Sequence, residues 1–160
     1  MAVSERRAGR VLAVHGGAVL LLRGSDPARP EDGTWWFTVG GGCEGGESTA
    51  EAARREAFEE AGLVLPDDLG PVVLHRVAEF SFEGQDYRQT EDFYFCRVDS
   101  DAVVTTGWTE LERRSMTEHR WWSAAELAGT ADVVHPEQLA GLLATLLAAE
   151  RPRPGPAAGA

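Results

Sequence analysis

The chain has 160 residues, a formal net charge of −11 and an isoelectric point of about 4.8. This length fits a single domain that is large enough to bury a core. The acidic charge argues against broad nucleic-acid binding through a basic surface. It leaves open a small phosphorylated ligand, because bound cations would supply the positive charge locally.

The first part of the chain is typical of short strands joined by turns. Residues Arg10–His15 and Ala18–Arg23 are predicted to form a hairpin, because Gly16 and Gly17 suit a tight turn between them. A loop rich in Asp, Pro and Gly then leads to a short aromatic strand at Trp35–Thr38. Residues 1–9 are assigned to an N-terminal extension ahead of the domain.

A helix is predicted to begin after Ser48 and to end at Ala61. Ser48 and Glu51 have the spacing of a capping box, in which each side chain satisfies a free backbone N–H group at the start of a helix. The residues that follow include neither proline nor glycine until Gly62, which suits the left-handed conformation that closes a helix.

Three carboxylates share one face of this helix, since Glu56, Glu59 and Glu60 stand at positions i, i+3 and i+4. Like charges at this spacing destabilise a helix unless a cation neutralises them. Mg²⁺ and Mn²⁺ prefer carboxylate and carbonyl oxygens. The alternative is a solvated face with intrahelical ion pairs, but the glycines and the spaced Glu47 ahead of the helix favour the metal site. Arg55 stands where it can hold carboxylates by bidentate contacts.

The second half of the chain alternates further strands and helices. Two long strands are predicted around the hairpin signal at residues 83–86, then a short strand and two helices. The predicted elements are strands Val72–Phe82, Tyr87–Val98 and Trp121–Ser123, a helix Ala124–Ala128 begun by Ser123, and a last helix with Pro136 in its first turn. The domain is thus predicted to cover residues 10–150, and residues 151–160 form a Pro/Gly/Ala-rich tail that is predicted to be disordered.

Seven residues between positions 41 and 63 have a fixed spacing, with an apolar residue at two further slots. They are Gly41, Glu47, Arg55, Glu56, Glu59, Glu60 and Gly62, with Ala57 and Leu63 in the apolar slots. This pattern, G-x5-E-x7-R-E-U-x-E-E-x-G-U, resembles the box of the Nudix hydrolase family, which includes MutT-like proteins. The resemblance implies an α/β/α sandwich with a central mixed sheet. It also implies Mg²⁺- or Mn²⁺-dependent hydrolysis of a nucleoside diphosphate linked to another group X.

The resemblance also assigns roles to residues. Glu59 and Glu60 are the expected metal ligands, with Glu56 as a third ligand or as the base that takes a proton from water. Glu47 is expected to support the site through Arg55 or a metal-bound water. The carbonyl of Gly40, the residue before the first glycine of the box, is a further expected ligand. Proline often precedes this glycine pair in the family, and here the residue is Val39.

Some members of the family take the general base from outside the box. Here Glu112 and Glu118 are candidates, with Glu118 preferred, and the alternative for each is a surface glutamate. Trp35 and Trp36 could stack on a nucleobase or pack in the core.

Three arginines on or beside the predicted strands could bind phosphate, although such arginines are more often surface residues. They are Arg23, Arg76 and Arg88.

Two alternatives to the hydrolase are a non-catalytic nucleotide sensor of the same fold and a prenyl-diphosphate isomerase. The intact carboxylates argue against the sensor, and the isomerase would need a separate acid/base pair that the sequence does not show.

The expected partner is a small nucleoside diphosphate derivative. No apolar run reaches the ~20 residues that would cross a membrane. A homodimer is compatible with the sequence. The start lacks the apolar core of a signal peptide and the two cysteines suggest no disulfide framework, so a cytoplasmic location is expected.

Overall fold

The computed structural model describes residues 2–149 and consists of a curled mixed sheet with helices on both faces. The predicted tail at residues 151–160 lies outside the described residues. The strands are β1 (Ser4–His15), β2 (Ala18–Ser25), β3 (Thr34–Gly42), β4 (Leu74–Phe82), β5 (Gln85–Arg97), β6 (Met116–Ser123) and β7 (Val134–His135). The helices are α1 (Thr49–Ala61), α2 (Glu110–Ser115), α3 (Ala124–Gly129) and α4 (Leu139–Ala149), with a short 3₁₀ turn at Pro30–Asp32.

The sheet order is β4-β5-β1-β2-β3-β7, with β6 paired to β2 and a further pairing between β1 and β3. The β1–β5 and β3–β7 pairs are parallel, whereas the others are antiparallel. The α/β class and the mixed sheet expected from the sequence are therefore confirmed. None of the helices described between residues 2 and 149 is long and apolar enough to span a bilayer.

The β1–β2 hairpin turns at Gly16 and Gly17, whose φ angles of 58° and 77° lie in the left-handed region that glycine adopts freely. The predicted start of β1 at Arg10 is wrong, because the strand begins at Ser4 and pairs with β5 from that residue onward. Residues 4–9, assigned to an extension, therefore belong to the sheet. Their polar composition concealed the strand, because Ser4–Arg7 are exposed and only Ala8 and Gly9 are buried.

Strand β3 is also longer than predicted, because the three glycines Gly40–Gly42 continue it and do not form a loop. Its first half pairs with β2 and its second half with Ala8–Val11 of β1, which curls the sheet at this point. A Cβ atom on Gly40, whose φ is 147°, would lie 2.3 Å from the carbonyl oxygen of Gly9. Glycine is thus required here by the close approach of two backbones.

Two apolar layers cover the two faces of the sheet. Helix α1 packs on one face through small side chains such as Ala53 and Ala57, and Val39, the residue that replaces the usual proline, is fully buried in this layer. Helices α3 and α4 cover the other face, around Trp122 and Leu143. The helices fix the position of the site because α1 lies directly against β1 and β3.

Three further differences concern the C-terminal third of the chain. Helix α2 was not predicted, since six residues rich in charge carry too short a pattern to recognise. The last helix begins at Leu139 and not at Pro136, because the Leu139 N–H donates to the Pro136 carbonyl in a preceding turn. Strand β6 begins at Met116, which places Glu118 inside a strand.

We expect Gly9→Ala to destabilise the fold strongly. A Cβ at this position would lie 1.7 Å from the Thr49 carbonyl oxygen at the start of α1, so β1 and α1 would have to move apart. Overpacking of this kind costs about 1–3 kcal/mol or more, which urea unfolding followed by circular dichroism would measure.

Gly141→Ala is the matched control, because it adds the same methyl group in a helix where nothing lies within 4 Å. It should leave stability unchanged or raise it by up to about 1 kcal/mol. Equal free energies of unfolding for the two variants would contradict the close packing of α1 on β1.

Candidate active site

The site is built on α1, which begins and ends as its sequence predicts. The Ser48 hydroxyl accepts a hydrogen bond from the Glu51 N–H group at 3.1 Å, and the Glu51 carboxylate accepts one from the Ser48 N–H group at 3.2 Å. Gly62 adopts φ 69° and closes the helix. Both ends are therefore fixed, and the register that brings the glutamates to one face is fixed with them.

Glu60 is the most deeply placed carboxylate of the site, with 3% of its surface exposed. Its Oε1 accepts a hydrogen bond of 2.8 Å from the backbone N–H of Gly40. Burial raises the pKa of Glu60 well above its usual range, the Glu56 carboxylate raises it further, and the Gly40 hydrogen bond opposes the shift only partly. A helix residue and the end of β3 are thus joined through a buried carboxyl group.

Glu56 and Glu112 complete a cluster with Glu60. One carboxylate oxygen from each of the three lies within 4.8 Å of the other two. Burial raises the pKa of Glu56 to about 7, with Arg55 opposing the shift and Glu112 and Glu59 adding to it. Gly41 makes room for this carboxylate, because a Cβ there would lie 2.8 Å from the Glu56 carboxyl group.

Arg55 holds the remaining box residues together. Its Nε and Nη2 atoms donate to the two oxygens of Glu47 at 2.8 and 3.0 Å, and Nη2 also donates to the Gly42 carbonyl at 2.9 Å. Its Nη1 atom donates to Glu56 at 3.0 Å and to Glu59 at 3.2 Å. The bonds from Arg55 hold the pKa of Glu47 below its usual range.

The donor set fits a divalent cation. Three carboxylates converge although two of them have raised pKa values, and an ion bound among them would offset the repulsion that burial makes costly. Oxygen ligands of this kind suit Mg²⁺ or Mn²⁺. Glu59 lies at the edge of this group, 40% exposed, with its carboxylate on Arg55. The Gly40 carbonyl is 3.5 Å from an Nη atom of Arg10.

The cluster opens into a cleft of about 780 Å³. Aromatic side chains of three strands line it, together with three arginines. The aromatic residues include Trp35, Phe37, Phe80, Phe82 and Phe93, and the arginines are Arg6, Arg10 and Arg76. Trp35 and Arg76 are thus placed where the sequence suggested a substrate contact.

Several other predicted contacts lie elsewhere. Trp36 is 3% exposed and packs edge-on against Trp122 in the core. Arg23 donates to Glu118 across the β2–β6 pair at 2.6 Å. Trp36, Arg23 and Glu118 are therefore not among the residues that line the cleft. Arg88 stands on the opposite face of the sheet from Gln89 and is 54% exposed near Glu5 and Glu79.

The structure places the two candidate general bases, Glu112 and Glu118, in different surroundings. Helix α2 brings Glu112 into the carboxylate cluster, whereas Glu118 forms an exposed ion pair with Arg23. Because α2 escaped prediction, the sequence contained no sign that Glu112 would reach the box helix.

Four polar residues of the cleft were missed by sequence reasoning. They are Arg6, Arg10, Gln89 and Glu91. Gln89 and Glu91 are each 1% exposed, and they alternate along β5 with residues of the other face. A signal was present, since charged or amide side chains at alternate positions of a strand that continues into an apolar run point to a polar cleft.

A family model for the NUDIX domain matches residues 4–142. The chain belongs to the Nudix family. Members of this family hydrolyse pyrophosphate bonds. The match begins where β1 begins, in agreement with the corrected strand boundary.

Solved structures share the fold at low sequence identity. A MutT Nudix hydrolase from Burkholderia pseudomallei aligns with a TM-score of 0.62 at 18% identity, over 86% of this chain and 95% of that one. The MutT protein of Methanosarcina mazei Go1 gives a TM-score of 0.62 at 19% identity, over 94% and 99%. An ADP-ribose pyrophosphatase from Streptococcus suis gives 0.59 at 19% identity, over 92% and 94%. No curated protein matches the sequence.

The Arg55–Glu47 pair should show strong energetic coupling in metal-free protein. Both side chains are about four-fifths buried (21% and 19% exposed) and their contact is bidentate. A double-mutant cycle of Arg55→Met and Glu47→Gln, measured by urea unfolding in EDTA, should give a coupling of about 1–3 kcal/mol.

The neighbouring Arg54–Asp67 pair provides the control, since Asp67 is 97% exposed. The same cycle there should give less than about 0.5 kcal/mol. Equal coupling in the two cycles would show that Arg55 is an ordinary surface arginine.

Proposed function

We propose that this protein is a metal-dependent hydrolase that cleaves the diphosphate linkage of a nucleoside diphosphate joined to another group X. The convergence of Glu56, Glu60 and Glu112 at the floor of an aromatic and arginine-lined cleft carries the proposal. The carboxylates supply a place for cations, and the cleft has room for a nucleotide. Structures of the same fold include an Ap4A hydrolase from C. elegans and the ADP-ribose pyrophosphatase, both named for nucleotide-derived substrates.

Glu56, Glu59 and Glu60 would hold Mg²⁺ or Mn²⁺, with the Gly40 carbonyl as a further ligand. When bound, the cation neutralises phosphate charge and makes a nearby water a better nucleophile at neutral pH. Arg55 keeps Glu47, Glu56 and Glu59 in position, as its hydrogen bonds to all three indicate. The aromatic side chain of Trp35 offers a stacking surface for a nucleobase.

Glu112 is assigned the role of general base. It comes from α2 and, unlike Glu56, is not bonded to Arg55, so its carboxylate is free to take the proton of a water molecule. Its Oε1 atom accepts only the Thr109 N–H of its own capping box among the described residues. The water oxygen bonds to phosphorus, its proton passes to Glu112, and the bond from phosphorus to the bridging oxygen breaks. The products are a nucleoside phosphate and phosphorylated X.

Two other functions compete with the hydrolase. A nucleotide sensor would need the cleft but has no use for three converging carboxylates, two of which are destabilised by burial. A prenyl-diphosphate isomerase would need an acid/base pair apart from the metal site. Isomerised product without phosphate release would identify it.

Glu59→Gln and Glu60→Gln should each lower kcat by several orders of magnitude. An amide lacks the negative charge that binds a divalent cation, and the isosteric change spares the fold. Coupled phosphate release over a panel of nucleotides with Mg²⁺ and with Mn²⁺ would measure the effect. EDTA should abolish turnover and excess Mg²⁺ should restore it. Near-normal activity of both variants would refute the metal site.

Glu112→Gln should reduce kcat by about 10²–10⁴-fold with little change in KM, as expected for loss of a general base. Glu118→Gln is the matched control, because it removes the same charge from a surface pair with Arg23. Its kcat should stay within about twofold of wild type. A large loss in Glu118→Gln with Glu112→Gln unaffected would return the role to Glu118.

A further inference from the structure

Arg6 presents unused hydrogen-bond donors to the cleft. Its Nε atom donates to the Gln89 side-chain oxygen, and its guanidinium lies over the ring of Tyr87 at 4.6 Å from the centroid. Within residues 2–149, no group accepts a hydrogen bond from either Nη atom of Arg6. The guanidinium group is therefore held by one hydrogen bond from Nε and by stacking of one face on Tyr87. Its two Nη groups remain as donors for a ligand.

A buried polar chain holds Arg6 in this orientation. The side-chain oxygen of Gln89 accepts a hydrogen bond from Arg6, and its Nε2 atom donates one to Glu91 at 3.1 Å. Both residues are 1% exposed. Burying an amide and a carboxylate is costly unless their groups are paired. Here the arginines of the cleft supply the hydrogen-bond donors that pair with them. This is a preformed support for positive charge and not a chance surface contact.

The cleft face of the sheet carries an excess of positive charge. Glu91 accepts hydrogen bonds from both Arg10 and Arg76, so one carboxylate serves two guanidinium groups and Arg6 has only a neutral partner. Although burial disfavours its ionisation, the two arginines together hold the pKa of Glu91 below its usual range. On this face of the sheet, three arginines thus accompany one carboxylate, whereas acidic side chains of the cleft lining such as Asp26, Glu56 and Glu60 come from loops and helices.

Arg6 lies next to the carboxylate cluster. It interacts electrostatically with Glu56, and a side chain on Gly42, beside Gly41 and its Glu56 contact, would come within 3.6 Å of it. A phosphate chain bound at the carboxylates through cations would therefore meet Arg6 where it continues into the cleft. Guanidinium groups bind phosphate oxygens by paired N–H donors.

We propose that Arg6, with Arg10 beside it, binds a phosphate group in addition to the two that the scissile bond joins. The substrate is then a nucleotide with three or more phosphates in its chain, and not one whose diphosphate is linked to an uncharged sugar. This inference rests on the proposed function, since it assumes that the cleavable diphosphate lies at the carboxylates.

The kinetic test compares substrates that share a base. The pairs are ATP with ADP-ribose and UTP with UDP-glucose, all with Mg²⁺. Arg6→Gln should lower kcat/KM for the triphosphates by about 10- to 100-fold, mainly through KM, which is the effect of one lost charged hydrogen-bond partner. It should change kcat/KM for the diphosphate compounds by less than about threefold. Arg6→Lys, which keeps the charge, should recover part of the loss.

Arg7→Gln is the matched control. It removes the same charge one position along β1, from the other face of the sheet and outside the cleft lining. It should leave both substrate classes unaffected. Equal losses for both classes in Arg6→Gln, or no loss for either, would overturn the proposal.

A binding measurement keeps the test independent of turnover. Calorimetry with inorganic tripolyphosphate and pyrophosphate in Mg²⁺ should show tripolyphosphate binding weakened about 10-fold or more by Arg6→Gln, and pyrophosphate binding unchanged. If no nucleotide is hydrolysed but this difference is found, the hydrolase proposal fails and the anion site stands. If hydrolysis occurs and Arg6→Gln binds tripolyphosphate as well as wild type does, the anion site fails and the hydrolase stands.

Discussion

The close approach of α1 to the glycine end of β3 is the constraint on which the site depends. Gly9 lies directly under the Thr49 carbonyl at the start of the helix, and Gly40 and Gly41 leave no side chain between the strand and the helix glutamates. Glu60 can therefore reach the Gly40 N–H, and Glu56 can occupy the space beside Gly41. A larger residue at any of these positions would separate the elements and disperse the carboxylates. The glycines of the box are, in this sense, as much a part of the metal site as its glutamates.

Arg55 resolves the electrostatic problem that this packing creates. Bringing carboxylates together in a partly buried place raises the pKa values of Glu56 and Glu60. Arg55 offsets some of that repulsion, and it does so from the side of the helix that faces Glu47 and Gly42, leaving the cleft side of the cluster open. The arrangement keeps the fold stable without a cation while preserving a place for one. Complete neutralisation by arginine would stabilise the site but leave no net charge to bind a metal.

The sequence predicted those parts of the site that depend on local geometry. The capping box, the left-handed Gly62 and the shared helix face all follow from spacing within one element, and the structure has each of them. The sequence did not predict the contacts of the site that join residues far apart along the chain. Glu112 reaches the cluster through α2, whose six residues give no periodic signal, and the sequence did not rank it ahead of Glu118. Trp36 and Trp35 differ by one position, so strand alternation required one to face inward, but only the paired register shows that Trp36 is the buried one.

The missed half of the cleft has a common physical origin. The partners of Arg6 and Arg10 on β1 are set by the parallel register with β5. This register places Arg6 beside Gln89, and it places Arg10, four residues further along the same face, within reach of Glu91. A parallel pair joins residues far apart in sequence, about eighty positions for the Arg6–Gln89 contact. No local pattern reports such a partner. In the proposed function, the box residues, which are close in sequence, hold the diphosphate that is cleaved, and residues that only the sheet brings together select the substrate. Solved structures at 18–19% identity share this fold, and we propose that in this chain the charge pattern on the β1–β5 face selects the substrate.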